Sequence, residues 1–223
     1  MSNIVVEAFP LKPGPVALVL IGHSNAGKTP LGMAIEQGWS KPSCRWFHFD
    51  FGHHLRRIWR REDDAGLSTA ELAYLESVKH GRLIDDRHFP IVEKILAGFL
   101  LVKGFKPDSD RLVLNGLPRH TGQASGLSTM GVRVSAVVHL SCSVDVAFER
   151  KRAADARMGF EDRSQRNDNS FEIFCRRAAT FEAETVPVLD FYANSGALLV
   201  EIPVRVDASP TEMLQLLAKK VLP

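Results

Sequence analysis

Residues 22 to 29, Gly-His-Ser-Asn-Ala-Gly-Lys-Thr, fit the pattern GxxxxGK[ST]. In such a loop, glycines let successive backbone N–H groups wrap a phosphate, Lys28 reaches the terminal phosphates and the Thr29 hydroxyl suits Mg2+. Gly22, His23, Ser24, Asn25, Ala26, Gly27, Lys28 and Thr29 are therefore candidates to bind a nucleoside triphosphate. A second stretch, RLVLNGLPRHTGQ at 111 to 123, drives an apolar run into Asn115 and Gly116 and sets Arg119 in the turn that follows. A polar side chain and an arginine at the end of a buried strand are suited to an anionic ligand and its metal.

Five short apolar runs could hold these groups: residues 16 to 22, 45 to 49, 111 to 115, 133 to 140 and 196 to 202. Runs apolar on both faces are those of buried parallel strands. Helix-length segments lie between them, at 29 to 38, 68 to 79, 87 to 103, 143 to 156, 169 to 194 and 209 to 221. Pro30 is compatible with a helix directly after the phosphate loop, because a first-turn residue has no intrahelical N–H bond to lose. That helix would point its positive end at the anion. In the last segment Ser209 is placed as a cap, Pro210 at the first helical position and Glu212 three residues after the cap. The alternation predicts an α/β domain with a parallel sheet, its ligands at the C-terminal strand ends. Residues 50 to 80 and 151 to 167 interrupt it with Arg, Asp, Glu and His, and read as insertions over the site.

A chain of 223 residues is long enough to bury a full core. Its formal net charge of +2 is too small to imply nucleic-acid or membrane binding by bulk electrostatics. Anion recognition must come from clustered arginines. Cys44, Cys142 and Cys175 are scattered and odd in number, with no CxxC pair, so the sequence predicts neither a disulfide framework nor a zinc site. Without an apolar run of membrane-spanning length or a signal-like start, it reads as cytoplasmic. His48, Asp50, His53 and His54 are close in sequence, and alternation sends His48 and Asp50 to one face. The segment reads as a strand end leading into a helix rather than a metal site, which needs convergence that sequence proximity alone does not supply.

Two further segments resemble the nucleoside monophosphate kinase family, that of adenylate kinase and the UMP/CMP kinases. NGLPRHTGQA, 115 to 124, is similar to that family's DGFPRxxxQA, and residues 166 to 192 are similar to its RxDDNxExxxxRxxxFxxxTxPVIxYY block. The resemblance implies a P-loop nucleoside-triphosphate-hydrolase-type three-layer fold with a five-stranded parallel sheet. The core would comprise residues 1 to 49, 81 to 150 and 168 to 223, with a helical monophosphate-binding insertion at 50 to 80 and a short lid at 151 to 167. It implies ATP-dependent phosphoryl transfer to a nucleoside monophosphate, with Mg2+ as cofactor and a monomeric enzyme. Lys28, Arg119, Arg166 and Arg177 would then be catalytic, and Arg150 would stack on the ATP base. Gly52, Arg56, Gly116, Arg119 and Gln123 would bind the monophosphate, Gln123 by reading its base. Thr29 and, through water, Asn115 would serve the metal.

Departures from the family pattern leave two alternatives open. Asn115 stands where the family has aspartate, and magnesium favours an anionic oxygen over an amide. On that reading metal support is weakened, Asn115→Asp raises activity or tightens the Mg2+ requirement, and the chain could be a weakened nucleotide-binding relative. Phe51, in the family's base-sorting segment, leaves room for a P-loop kinase of a small non-nucleotide metabolite. In the lid the expected second arginine is Ala154; Arg152, Arg157 or Arg163 could substitute.

Overall fold

The computed structural model describes residues 14–79, 82–156 and 171–221. Its centre is a five-stranded, all-parallel sheet. The strands are β1 (Val16–Gly22), β2 (Trp46–Asp50), β3 (Arg111–Asn115), β4 (Arg133–Ser141) and β5 (Leu198–Pro203), in the order β2-β3-β1-β4-β5. Parallel neighbours require crossovers, and helices supply them. These are α1 (Lys28–Trp39), α2 (Phe51–Trp59), α3 (Thr69–Ser77), α4 (Phe89–Val102), α5 (Thr121–Thr129), α6 (Val144–Ala156), α7 (Phe171–Thr180), α8 (Pro187–Asn194) and α9 (Pro210–Val221).

The alternation of side chains along β1 explains the three layers. Ala17, Val19 and Ile21 enter one core with Leu112, Leu114 and Val137 from the neighbouring strands, covered by Ile91, Ile95 and Leu96 of α4, Leu127 of α5 and Val188 of α8. Leu18 and Leu20 enter the other, with Val113 and Val138, under Leu31 and Ile35 of α1 and Met213 and Leu217 of α9. A strand buried on both faces has no polar positions to spare, hence the uninterrupted apolar runs. Each fully buried Leu or Ile contributes about 1.5–3 kcal/mol relative to exposure.

The two layers of helices leave the C-terminal strand ends clear for the loops. The α1 helix lies close against β2: a Cβ on Gly32 would lie 2.3 Å from the His48 imidazole. Helix starts are fixed by side chains. Asp50 caps α2 by accepting from the His53 amide at 2.9 Å. Ser68 and Glu71 form a capping box on α3, and Ser209 and Glu212 form the expected one on α9.

Two expectations change. The expected strand at 45 to 49 runs one residue later, through Asp50, and the one at 196 to 202 begins at Leu198. The segment from 169 to 194 is not one helix: α7 ends at Thr180, a π-helical turn occupies Phe181–Thr185, and α8 starts anew at Pro187. Proline lacks the N–H a continuing helix needs, and is tolerated where a helix begins. The 50 to 80 segment holds α2 and α3. Of the expected lid only 151–156, the end of α6, is among the described residues.

Candidate active site

A cavity of about 970 Å3 opens over the C-terminal ends of the strands. The phosphate loop forms one wall. Gly22, Asn25 and Gly27 have φ of 155°, 66° and 105°, the left-handed values that turn backbone N–H groups inward, and α1 begins at Lys28. Lys28 Nζ donates to the carbonyls of Gly22 and His23 at 2.6 and 2.7 Å, so its charge is held over the loop. Ser24 and Thr29 also line the cavity. His23 and Ala26 do not. Ala26 is packed beneath the loop, and the His23 imidazole is directed at Glu182 on the π-helical turn, 3.1 Å away, beside the Phe181 ring at 4.4 Å. Burial lowers the His23 pKa, Glu182 opposes this and Lys28 reinforces it.

Beside the loop lies a contact between three segments. The Thr29 hydroxyl donates to Asp50 Oδ2 at 2.6 Å, and Asn115 Nδ2 reaches both Thr29 Oγ1 and Asp50 Oδ2 at 2.9 Å. Asp50 and Asn115 are paired residues at the ends of the adjacent strands β2 and β3. A carboxylate only accepts, so the neighbouring amide must present its NH2. Burial pushes the Asp50 carboxyl up. The hydrogen bonds from Thr29 and the His53 amide, with the nearby His48 and Arg56, outweigh it and hold the group below the usual aspartate range. The loss of aspartate at position 115 therefore does not leave Thr29 without a carboxylate; one reaches it from the next strand. A hydroxyl and a carboxylate are hard donors of the kind Mg2+ takes, so Thr29 and Asp50 fit that ion.

Across the cavity, Arg56 of α2 and Gly52 line the side near β2, and Gly116, with φ of 76°, begins the turn carrying Arg119. Thr185 Oγ1 donates to the Arg119 carbonyl at 2.7 Å, so the π-helical turn braces that turn. Arg177 of α7 lines the same cavity. Burial first, and then the Arg177 charge, pull the Arg119 pKa down to about 10, leaving it charged at neutral pH. Two cations brought close at such a cost form a ready site for an anion. Arg150 is set on the phosphate-loop side. It donates to the Asn25 carbonyl at 3.2 Å and, through Nη1, to the carbonyls of Arg205, Val206 and Ala208 at 2.7, 3.1 and 3.0 Å.

Gln123 lines the cavity but is only 1% exposed. Its Oε1 accepts from the Arg119 amide at 2.8 Å and its Nε2 donates to the Ile84 carbonyl at 3.1 Å. This bonding orients the Arg119 turn and leaves one amide hydrogen for a ligand. Phe51 is buried in the core beside Phe49, their ring centroids 6.1 Å apart. Arg166, Arg157 and Arg163 lie outside the described residues. Among the described residues no group of three or more His, Cys, Asp and Glu could hold a metal ion. His54 stacks on Phe49 at 4.9 Å, its pKa pushed down to about 4 chiefly by burial. The three cysteines are unpaired, and no helix among the described residues is long and apolar enough to cross a membrane.

Thr185 stands on the threonine of the family's TxPV segment, with nothing there to say that it would brace the Arg119 turn, and Glu182 carried no signal of its own in the sequence. Asp50 did, through alternation, but as a possible metal ligand with histidines and not as the partner of position 115.

No family model matches the sequence. Over 188 residues the chain is 30% identical to an adenylate kinase of Methylobacterium radiotolerans, covering 81% of this chain and 84% of that protein. Over 187 residues it is 34% identical to an adenylate kinase of Bifidobacterium longum, covering 82% and 89%. Among solved structures, a shikimate kinase from Aquifex aeolicus is similar with a TM-score of 0.44 at 14% identity, covering 92% of this chain and 95% of that one.

Proposed function

Because this chain belongs to the adenylate kinase family of P-loop phosphotransferases, we propose that it transfers the γ-phosphoryl group of ATP to a nucleoside monophosphate. The observation that carries the reading is the convergence of Lys28, Arg56, Arg119 and Arg177 on one cavity from four separate segments. One phosphorylated ligand would need one such cluster. Cations on both the loop side and the opposite side suit two anionic substrates held face to face.

The phosphate loop and Lys28 bind the donor phosphates, and Arg150 is proposed to stack on the donor base on the strength of the family pattern. Arg56 and Arg119 hold the acceptor phosphate, and Arg177 bridges toward the transferred group. Arg166 is proposed as its companion on the strength of the family pattern. An oxygen of the acceptor phosphate bonds to the γ-phosphorus as the bond to the β-phosphate oxygen breaks, giving a diphosphate and ADP. A monophosphate has a second pKa near 6, so its attacking oxygen is already ionised at neutral pH and needs no general base. What the protein must supply is alignment and positive charge on the equatorial oxygens, and arginine forks do both. Thr29, with Asp50 beside it, would hold magnesium, which would supply charge neutralisation at the donor phosphates.

A second reading rests on Gln123. It is almost wholly buried and spends one lone pair on the Arg119 amide and one hydrogen on the Ile84 carbonyl, so the half of its capacity that remains offers a base little exposed surface, which favours an acceptor other than a nucleotide. A coupled assay of Mg·ATP against a panel of nucleoside monophosphates separates the two. Transfer to at least one of them is expected. ATP binding with no monophosphate accepted would refute the first reading in favour of the second.

A further inference from the structure

We propose that Asp50 is the carboxylate that positions magnesium at the phosphate loop, a task the family pattern gives to position 115, and that Asn115 serves to hold Asp50 in place. The inference rests on the phosphotransferase reading, since it names the residue that fits the metal to that site.

The argument is geometric. Thr29 Oγ1 gives its single hydrogen to Asp50 and accepts from Asn115, which leaves one lone pair of the hydroxyl for a cation. Asp50 thus acts on the metal side through Thr29 as well as through any water bound there. Each partner is fixed. Asp50 Oδ1 accepts from the His53 amide at 2.9 Å while Oδ2 takes the Thr29 hydroxyl and the Asn115 amide, so the two oxygens have different duties. Asp50 lies in the cavity lining beside Thr29, Gly52 and Asn115. Because Asp50 and Asn115 are register partners, an acid on one strand and an amide on the other can exchange places with little movement of the backbone. An amide at 115 is then not a defect. It neutralises no charge, yet it donates two hydrogen bonds that an aspartate in the same place could not.

Titration calorimetry of ATP binding, with EDTA and with Mg2+, tests the assignment without relying on turnover. In the unaltered protein Mg2+ should tighten ATP binding. In Asp50→Asn, which preserves the cap on α2 because asparagine caps as well as aspartate, metal-free binding should be unchanged or tighter, one negative charge having left the phosphate site. The gain from Mg2+ should fall about 10-fold or more, the usual loss on removing an outer partner of a metal. The exchanged variant Asp50→Asn with Asn115→Asp should recover most of that gain, a rescue that a merely structural role would not produce. Asp50→Ser, which keeps a capping oxygen, repeats the measurement should Asp50→Asn fold poorly. A full Mg2+ effect in Asp50→Asn or Asp50→Ser overturns the inference alone. No Mg2+ effect in the unaltered protein overturns the phosphotransferase reading and this assignment with it.

Discussion

Asn115→Asp restores the residue the family pattern expects, and sequence reasoning alone predicts a gain of activity or a tighter Mg2+ requirement. The structure adds a cost in stability for the metal-free protein. Asn115 Nδ2 lies 2.9 Å from both Asp50 Oδ2 and Thr29 Oγ1, and the substitution replaces this donor with an acceptor. A hydrogen bond to a charged partner is worth about 1.5–3 kcal/mol. Two unit charges about 3 Å apart at an effective dielectric near 20 repel by roughly 5 kcal/mol. Side-chain rotation and entering water relieve part of this, so a net loss of about 3–5 kcal/mol is expected. For a domain of this size that lowers the melting temperature by about 10 °C. A cation between two carboxylates removes the repulsion, so Mg2+ with nucleotide should recover much of the loss, and more than it adds to the unaltered protein. Thermal melts of the two proteins in EDTA and in Mg·ATP measure this directly. If Asn115→Asp melts with the unaltered protein in EDTA, the acid and amide are not in contact and the account of this corner is wrong.

Lys28→Ala should reduce transfer at least ~100-fold by removing a charge aimed at the phosphates, with stability within about 1 kcal/mol, since it vacates a cavity wall and not the core; an equal loss of melting temperature would count against that role. His54, with a pKa of about 4 against an ordinary 6.5, refuses a proton that the unfolded chain accepts, so stability is complete above pH 6.5 and declines as pH falls toward 4. The full difference corresponds to about 3 kcal/mol, and solvent screening of this partly exposed ring reduces it to about 1–2 kcal/mol. His54→Phe, which keeps the stack on Phe49, should flatten the pH dependence of the melting temperature over that range, and an unchanged slope would assign it elsewhere. Gly32→Ala should destabilise by up to about 2 kcal/mol in chemical denaturation, because overpacking against His48 costs about 1–3 kcal/mol and the helical gain of about 1 kcal/mol offsets only part of it; a more stable variant would show that the α1–β2 contact yields easily.

Much of this architecture was legible because its signals are local. The phosphate loop, the cap at Ser209 and the turn around Arg119 are each written in a few adjacent residues, and the apolar runs announce strands covered on both faces. The Asp50 and Asn115 contact is not local. It depends on β2 lying beside β3 in one particular register, and the order of strands in a sheet leaves no trace in a single strand's composition. The break between α7 and α8 had a visible sign in Pro187, but the π-helical turn that aims Glu182 at His23 and Thr185 at Arg119 adds a residue per turn that no periodicity in so short a stretch reveals. Gln123 is among the residues that line the cavity. What its amide bonds to was set by Ile84, which is remote in sequence.

Arg150 ties Asn25 in the phosphate loop to the carbonyls of Arg205, Val206 and Ala208, and Met213 of α9 is packed against the same loop beside Gly27. The loop emerges from the ribosome well before the segment that braces it. A growing chain therefore carries the whole GxxxxGK[ST] sequence long before it owns a finished nucleotide site. Proteolytic clipping ahead of Arg205 would return a mature molecule to that unfinished condition, with its phosphate motif intact.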